Sequence, residues 1–168
     1  MPSPDRRSFL KAVGTTGIGL SVAGCSGLDP TDSENAPPAG SLSFRNNHSV
    51  PHEIGLEVLD VGTTIGERED GHDTVTGTPD VGVPERDLTA TAVIEPGQTR
   101  TYESAFETEV WYDVRFTLDG KYPGEDSART VFKPVRPNAD TTGRALAGRV
   151  SQGGEFSWVV SVTSDTFR

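Results

Sequence analysis

The stretch Glu109–Lys121 reads EVWYDVRFTLDGK and alternates without a slip. Val110, Tyr112, Val114, Phe116 and Leu118 fall on one side, with Glu109, Trp111, Asp113, Arg115 and Thr117 on the other. A period of two is the signature of a strand with one buried face, whereas a helix would scatter these apolar residues around its axis. Asp119-Gly120 then supplies the residue pair that favours a two-residue hairpin turn. Such a strand needs neighbours for its backbone and a second layer for its apolar face.

The rest of the chain offers both. Leu42 and Phe44 alternate with polar residues in SLSFRNN. In HEIGLEVLDV, Ile54, Leu56 and Val58 share a face, but Leu59 and Val61 fall on the other parity, which predicts a bulge or a fully buried end. DLTATAVI places Leu88, Ala90, Ala92 and Ile94 opposite Thr89, Thr91 and Val93. EPGQ, Glu95 to Gln98, reads as a turn, because proline presets φ and glycine accepts a positive one. TRTYESAF follows as its return strand, with Tyr102 and Phe106 pointing inward. RTVFKPVRP reads as an edge strand because of Pro134. RALAGRV and EFSWVVSVT flank Ser151-Gln152-Gly153-Gly154 as a terminal hairpin, with Phe156, Trp158, Val160 and Val162 inward. Seven or eight short strands separated by turns predict an all-β fold, an antiparallel β-sandwich with Greek-key connections, over residues 41–168.

Two segments interrupt this rhythm. Gly62 to Asp87 is a long polar loop, the length at which a loop is usually functional or mobile. Lys121 to Ala128 is a shorter acidic one.

Residues 6–25 belong to a different pattern, RRSFLKAVGTTGIGLSVAGC. Ala12 to Gly24 is too short and too rich in glycine and threonine for a bilayer span, which needs about 20 predominantly apolar residues. A basic start, a short apolar run and small residues before a cut are the plan of a signal peptide. Arg6-Arg7-Ser8-Phe9-Leu10-Lys11 resembles the twin-arginine export consensus, which implies export after folding. Val22-Ala23-Gly24-Cys25 resembles a lipobox, which implies lipid on the Cys25 sulfur, cleavage before it and anchoring to a membrane. Residues 1–24 are then a twin-arginine lipoprotein signal peptide. Residues 25–40, rich in Pro, Ser, Asp and Glu, are a flexible linker with a reach of about 20 Å.

Charge agrees with an exported surface protein. The chain of 168 residues carries a net charge of −10. Arg6, Arg7 and Lys11 against Asp5 give the first 24 residues +2, so the remainder carries −12, with Lys121 and Lys133 its only lysines. Such a surface repels nucleic acid, which is excluded as a partner. Excess carboxylate with few lysines resembles the proteins of halophilic archaea, where molar salt shortens the Debye length to about 3 Å and screens the self-repulsion. The run from SLSFRNNHSVPHEIGLEVLD through IEPGQTRTYESAF to VWYDVRFTLDGK, residues 41 to 121, resembles the immunoglobulin-like domains of haloarchaeal lipoproteins. The resemblance implies an immunoglobulin-like β-sandwich at the extracellular face of the cell membrane.

Residues that could carry chemistry are few. Cys25 is the only cysteine, so no intramolecular disulfide can form. A blue-copper centre needs a thiolate and two histidines, and residues 26–168 hold no cysteine and no methionine. No G-x-S-x-G or H-E-x-x-H pattern is present. His48 and His52 lie four apart, but Pro51 and the strand context remove the helical geometry that would join them on a metal; a turn could still bring them together, and otherwise they read as exposed turn histidines. His72, Asp70 and Asp73 in EREDGHD are weak candidates for a hard cation, without the EF-hand spacing. Trp111, facing away from Tyr112 and Phe116, is a candidate partner contact. No catalytic residue and no cofactor is assigned. The sequence thus predicts an exported, lipid-anchored, non-enzymatic interaction or accessory module with an unknown protein or envelope partner. A small-solute or cation-binding lipoprotein using the acidic 62–87 loop is the alternative.

Overall fold

The computed structural model describes residues 37–82, 86–124, 128–138 and 142–163. The export and lipidation residues Arg6, Arg7, Phe9, Leu10 and Cys25 lie outside them. Every element among the described residues is a strand: β1 Leu42–Asn46, β2 His52–Gly62, β3 Thr64–Ile65, β4 Val75–Thr76, β5 Thr89–Ile94, β6 Thr99–Tyr102, β7 Trp111–Leu118, β8 Arg129–Phe132, β9 Gly143–Val150 and β10 Phe156–Thr163. Eight of them form two four-stranded sheets, ordered β10-β9-β1-β6 and β5-β2-β7-β8, and β3 and β4 make a separate two-stranded ribbon.

Pairing is antiparallel with one exception. β1 runs parallel to β9, from Leu42 opposite Leu146 to Asn46 opposite Val150, so the expectation of a purely antiparallel fold needs correction. Parallel neighbours need a crossover rather than a hairpin, and here all the intervening chain separates the two strands.

The two sheets share a single buried cluster. Leu42, Phe44, Leu146 and Val150 from the first sheet meet Ile54, Leu56, Ile94, Tyr112, Val114, Phe116 and Phe132 from the second. The apolar face of β7 is as the sequence predicts, with Tyr112, Val114 and Phe116 fully buried; on the opposite side Trp111 and Arg115 are half-buried, but Asp113 between them is buried too. Phe116 reaches across to β9. A Cβ on Gly148 would lie 2.8 Å from its ring, and Phe156 packs against it at a tilt with centroids 5.3 Å apart, so glycine is needed there for the ring to approach the backbone. Phe106 packs edge-on to both Tyr112 and Phe132, with centroids at 5.0 and 5.2 Å.

The parity change in β2 is a bulge. Val58 pairs with Val114 and Asp60 with Asp113, leaving Leu59 as the extra residue. Val61 thereby returns to the buried face, 4 % exposed, and Leu59 turns outward. The Asp119-Gly120 turn forms as expected. Both residues have positive φ, and Leu118 and Lys121 exchange backbone hydrogen bonds of 2.8 and 3.0 Å.

Four expectations change. Glu95–Gln98 is a turn closed by the Gln98 N–H on the Glu95 carbonyl, but β6 does not return along β5: it crosses to the other sheet and pairs with β1. A turn sequence fixes a local reversal and leaves open which sheet receives the next strand. The described part of residues 62–87 is not one long loop. β3 and β4 form a hairpin there around Asp70-Gly71, and Arg86 folds back to donate to the carbonyls of Pro79 and Val81. Val162 is 62 % exposed, because it sits opposite Arg144 on the edge strand β10, while Phe156, Trp158 and Val160 pack on the core. The folded domain also begins before residue 41. Pro38, Ala39 and Gly40 are buried, and the Gly40 N–H donates 2.8 Å to the Arg144 carbonyl.

Candidate functional site

One end of the molecule gathers three connections: the β1–β2 loop, the β7–β8 turn and the β9–β10 turn. Asn46, the last residue of β1, organises the first. It is fully buried, its amide nitrogen donates to the carbonyls of Val50 and Ile94 at 2.7 and 2.9 Å, and its amide oxygen accepts the His48 N–H at 2.8 Å. This arrangement satisfies both kinds of group on a buried amide and bends the chain sharply, so that His48 turns back toward His52.

The two histidines are joined. His48 Nδ1 and His52 Nε2 lie 2.7 Å apart, with ring centroids at 5.0 Å and planes 24° from parallel. The other nitrogen of His52, Nδ1, is 2.8 Å from Asp119 Oδ2, and Asp119 Oδ1 accepts the Glu53 N–H at 2.9 Å. The result is a chain, Asp119–His52–His48, whose middle member is only 11 % exposed. His48 closes the third side, because a Cβ on Gly154 would lie 3.4 Å from its ring. The histidines are therefore partners rather than two separate exposed side chains.

The geometry dictates protons. An ionised carboxylate only accepts, so His52 Nδ1 carries a hydrogen. The short contact between the rings then holds one hydrogen, on either nitrogen. Burial works to raise the Asp119 carboxyl, but the His52 hydrogen bond, the Glu53 N–H and the charges of His52 and Lys121 outweigh it and hold it below its ordinary value. A tetrahedral zinc ion would separate two imidazole nitrogens by about 3.3 Å, so the 2.7 Å spacing suits a proton. Among the described residues no group of three or more His, Cys, Asp or Glu is placed to hold a metal ion.

The other candidates stand apart from this end. Trp111 is half-buried at the opposite end of β7, paired with Gly62, with the Lys133 ammonium 6.0 Å from its ring and 2.7 Å from Glu109. Val75 and Thr76 of β4 press on Gly62, which leaves no room for a Cβ. In the β3–β4 hairpin Asp73 pairs with Arg68 at 3.1 Å, and Glu69 and His72 exchange backbone hydrogen bonds around Asp70. A shallow groove, lined by Ile65, Glu67, Glu69, Thr74 and Val75, runs along that hairpin.

Between the two ends, the outer face of the β5-β2-β7-β8 sheet is an ion-pair ladder. Glu57 binds Arg115, whose guanidinium lies 4.0 Å from the centre of the Tyr122 ring. The Arg129 guanidinium grips Asp113, which is 2 % exposed. The Asp113 hydrogen bond raises the basicity of Arg129 further, against the opposing effect of burial.

Sequence reasoning missed the histidine chain and the Asp113–Arg129 pair. Both depend on strand register, and only the alternation that puts Asp113 outside the core was visible. Compared with protein-family models, with curated proteins and with solved structures, the chain matches none.

Proposed function

We propose that the protein is an exported, lipid-anchored module at the extracellular face of the cell membrane, binding a protein or envelope partner without catalysis. The observation that carries this reading is the pairing of Arg6-Arg7-Ser8-Phe9-Leu10-Lys11 with Val22-Ala23-Gly24-Cys25, two short motifs bracketing one weakly apolar run. Among the described residues no helix is long and apolar enough to cross a membrane. The acidic composition supports a domain working in high salt.

The finer description of the domain is a β-sandwich of the immunoglobulin-like kind in architecture. Two sheets with one shared core support it, as does the Tyr112 hydroxyl, which accepts the Glu107 N–H at 2.8 Å in the manner of a corner tyrosine. The likeness stops at strand order. In the constant-type order the first two strands are neighbours, whereas here β1 and β2 lie in different sheets. Trp111, half-buried beside Lys133, is the side chain proposed to meet the partner.

Cell fractionation tests the reading. Cys25→Ser should move most of the protein from the membrane to the soluble fraction, and replacing Arg6 and Arg7 together by lysine should keep it in the cytoplasm. An unchanged membrane fraction for Cys25→Ser would refute the anchor. With partners crosslinked on intact cells, Trp111→Ala should lose most of the capture; full capture would remove Trp111 from the contact.

A further inference from the structure

We infer that Asp119, His52 and His48 form a one-proton latch, which holds the β1–β2 loop against the β7–β8 and β9–β10 turns near neutral pH and releases it in mild acid. The contact at 2.7 Å has space for a single hydrogen between the facing nitrogens. With both rings neutral, His48 donates to His52. With one proton added, His52 becomes the cation, donating to Asp119 on one side and to His48 on the other. A second proton would set two N–H groups against each other and two positive charges on adjoining rings, and the contact must open.

The surrounding charges do not remove this limit. The β7–β8 turn brings Asp119 and Lys121, of opposite sign. β2 brings Glu53, whose backbone is bonded to Asp119 on both sides. From β1, Arg45 is occupied with the Asn47 side chain. Glu95 starts the β5–β6 turn whose Gly97 N–H binds the Asn46 carbonyl, and Glu155 follows Gly154 on the β9–β10 turn. Among the described residues Asp119 is the carboxylate hydrogen-bonded to this pair, and it already holds the far side of His52.

The sign follows from proton counting. An open loop has room for an added proton on each ring, while the latched contact has room for only one. The latch therefore weakens as pH falls, by about tenfold in its closing equilibrium for each pH unit once one proton separates the states. The lowered carboxyl of Asp119 acts in the same direction but in a more acid window: its contribution is complete above its ordinary value and is lost as pH falls through the lower folded one.

Two readings on the full-length chain test the latch. Hydrogen exchange at the Asn47 and His48 amides, which are bonded to the Val150 carbonyl and the Asn46 side chain, should lose about tenfold in protection between pH 6 and 5, after correction for intrinsic rates. Ring resonances of His48 and His52 should load in two separated steps in the wild type. In His52→Gln, His48 should titrate in one step, and in both His52→Gln and Asp119→Asn the loop should be poorly protected already at pH 7. Equal protection of the wild-type loop at pH 7 and 5 would overturn the latch, as would a His48 titration identical with and without His52.

Discussion

Phe116→Ala should lower the free energy of unfolding by about 3–5 kcal/mol, the cost of removing a large buried aromatic and leaving a cavity. Position explains why the upper part of that range is expected. Phe116 is fully buried and belongs to the central strand pair of its sheet, opposite Leu56. Its ring rests on the backbone at Gly148 and against Phe156, so it is a principal bridge between the two layers. The space it leaves cannot close easily, because Gly148 has no side chain to fill it and the β9 backbone is held by β1 on one side and β10 on the other. Urea unfolding at fixed salt reads the change as a lower midpoint at unchanged slope. A loss below about 1 kcal/mol would mean that the layers are not joined there. Phe116→Leu, which keeps most of the volume, should recover more than half of the loss.

Arg129→Met should be almost as costly, about 3–5 kcal/mol, although Arg129 itself is partly exposed. Its Nε lies 2.9 Å from Asp113 Oδ1, and Asp113 is 2 % exposed. Removing the guanidinium leaves a buried carboxylate with neither its counter-charge nor those hydrogen bonds. Asp113→Val alone should cost less, because the arginine it frees can reach water. The double variant Asp113→Val with Arg129→Met should be more stable than Arg129→Met alone, and the coupling from such a cycle should exceed about 1.5 kcal/mol. Additive effects would show that the pair does not act as a unit. Molar salt should change this coupling little, since the partners touch and one of them is buried.

Legibility in the sequence followed distance along the chain. β7 and its Asp119-Gly120 turn were readable because alternation and turn chemistry are both local. The parity change after Val58 was readable, since one extra residue reverses every side chain after it, but parity alone left a bulge and a fully buried end both open. The β3–β4 hairpin was not, since two-residue strands carry no period to detect. The partner of β6 was not readable either, because the Glu95–Gln98 turn has the same chemistry whether the chain returns or crosses. His52 meets Asp119 only because β2 pairs with β7, with Ile54 set opposite Leu118, a register no local pattern encodes. The four-residue spacing of His48 and His52 leaves open whether a turn brings them together, and the contact is decided by the buried Asn46, which folds the loop back.

The parallel pairing of β1 has a mechanical meaning. The chain before residue 37 enters the domain through Pro38–Gly40 and then directly through β1. β1 is an inner strand, bonded along its length to β9 on one side and to β6 on the other. A pull arriving through the leading segment would therefore act on a strand held by two ladders together rather than on an edge strand held by one. The strand that would take the load in a tethered molecule is thus one with a neighbour on each side.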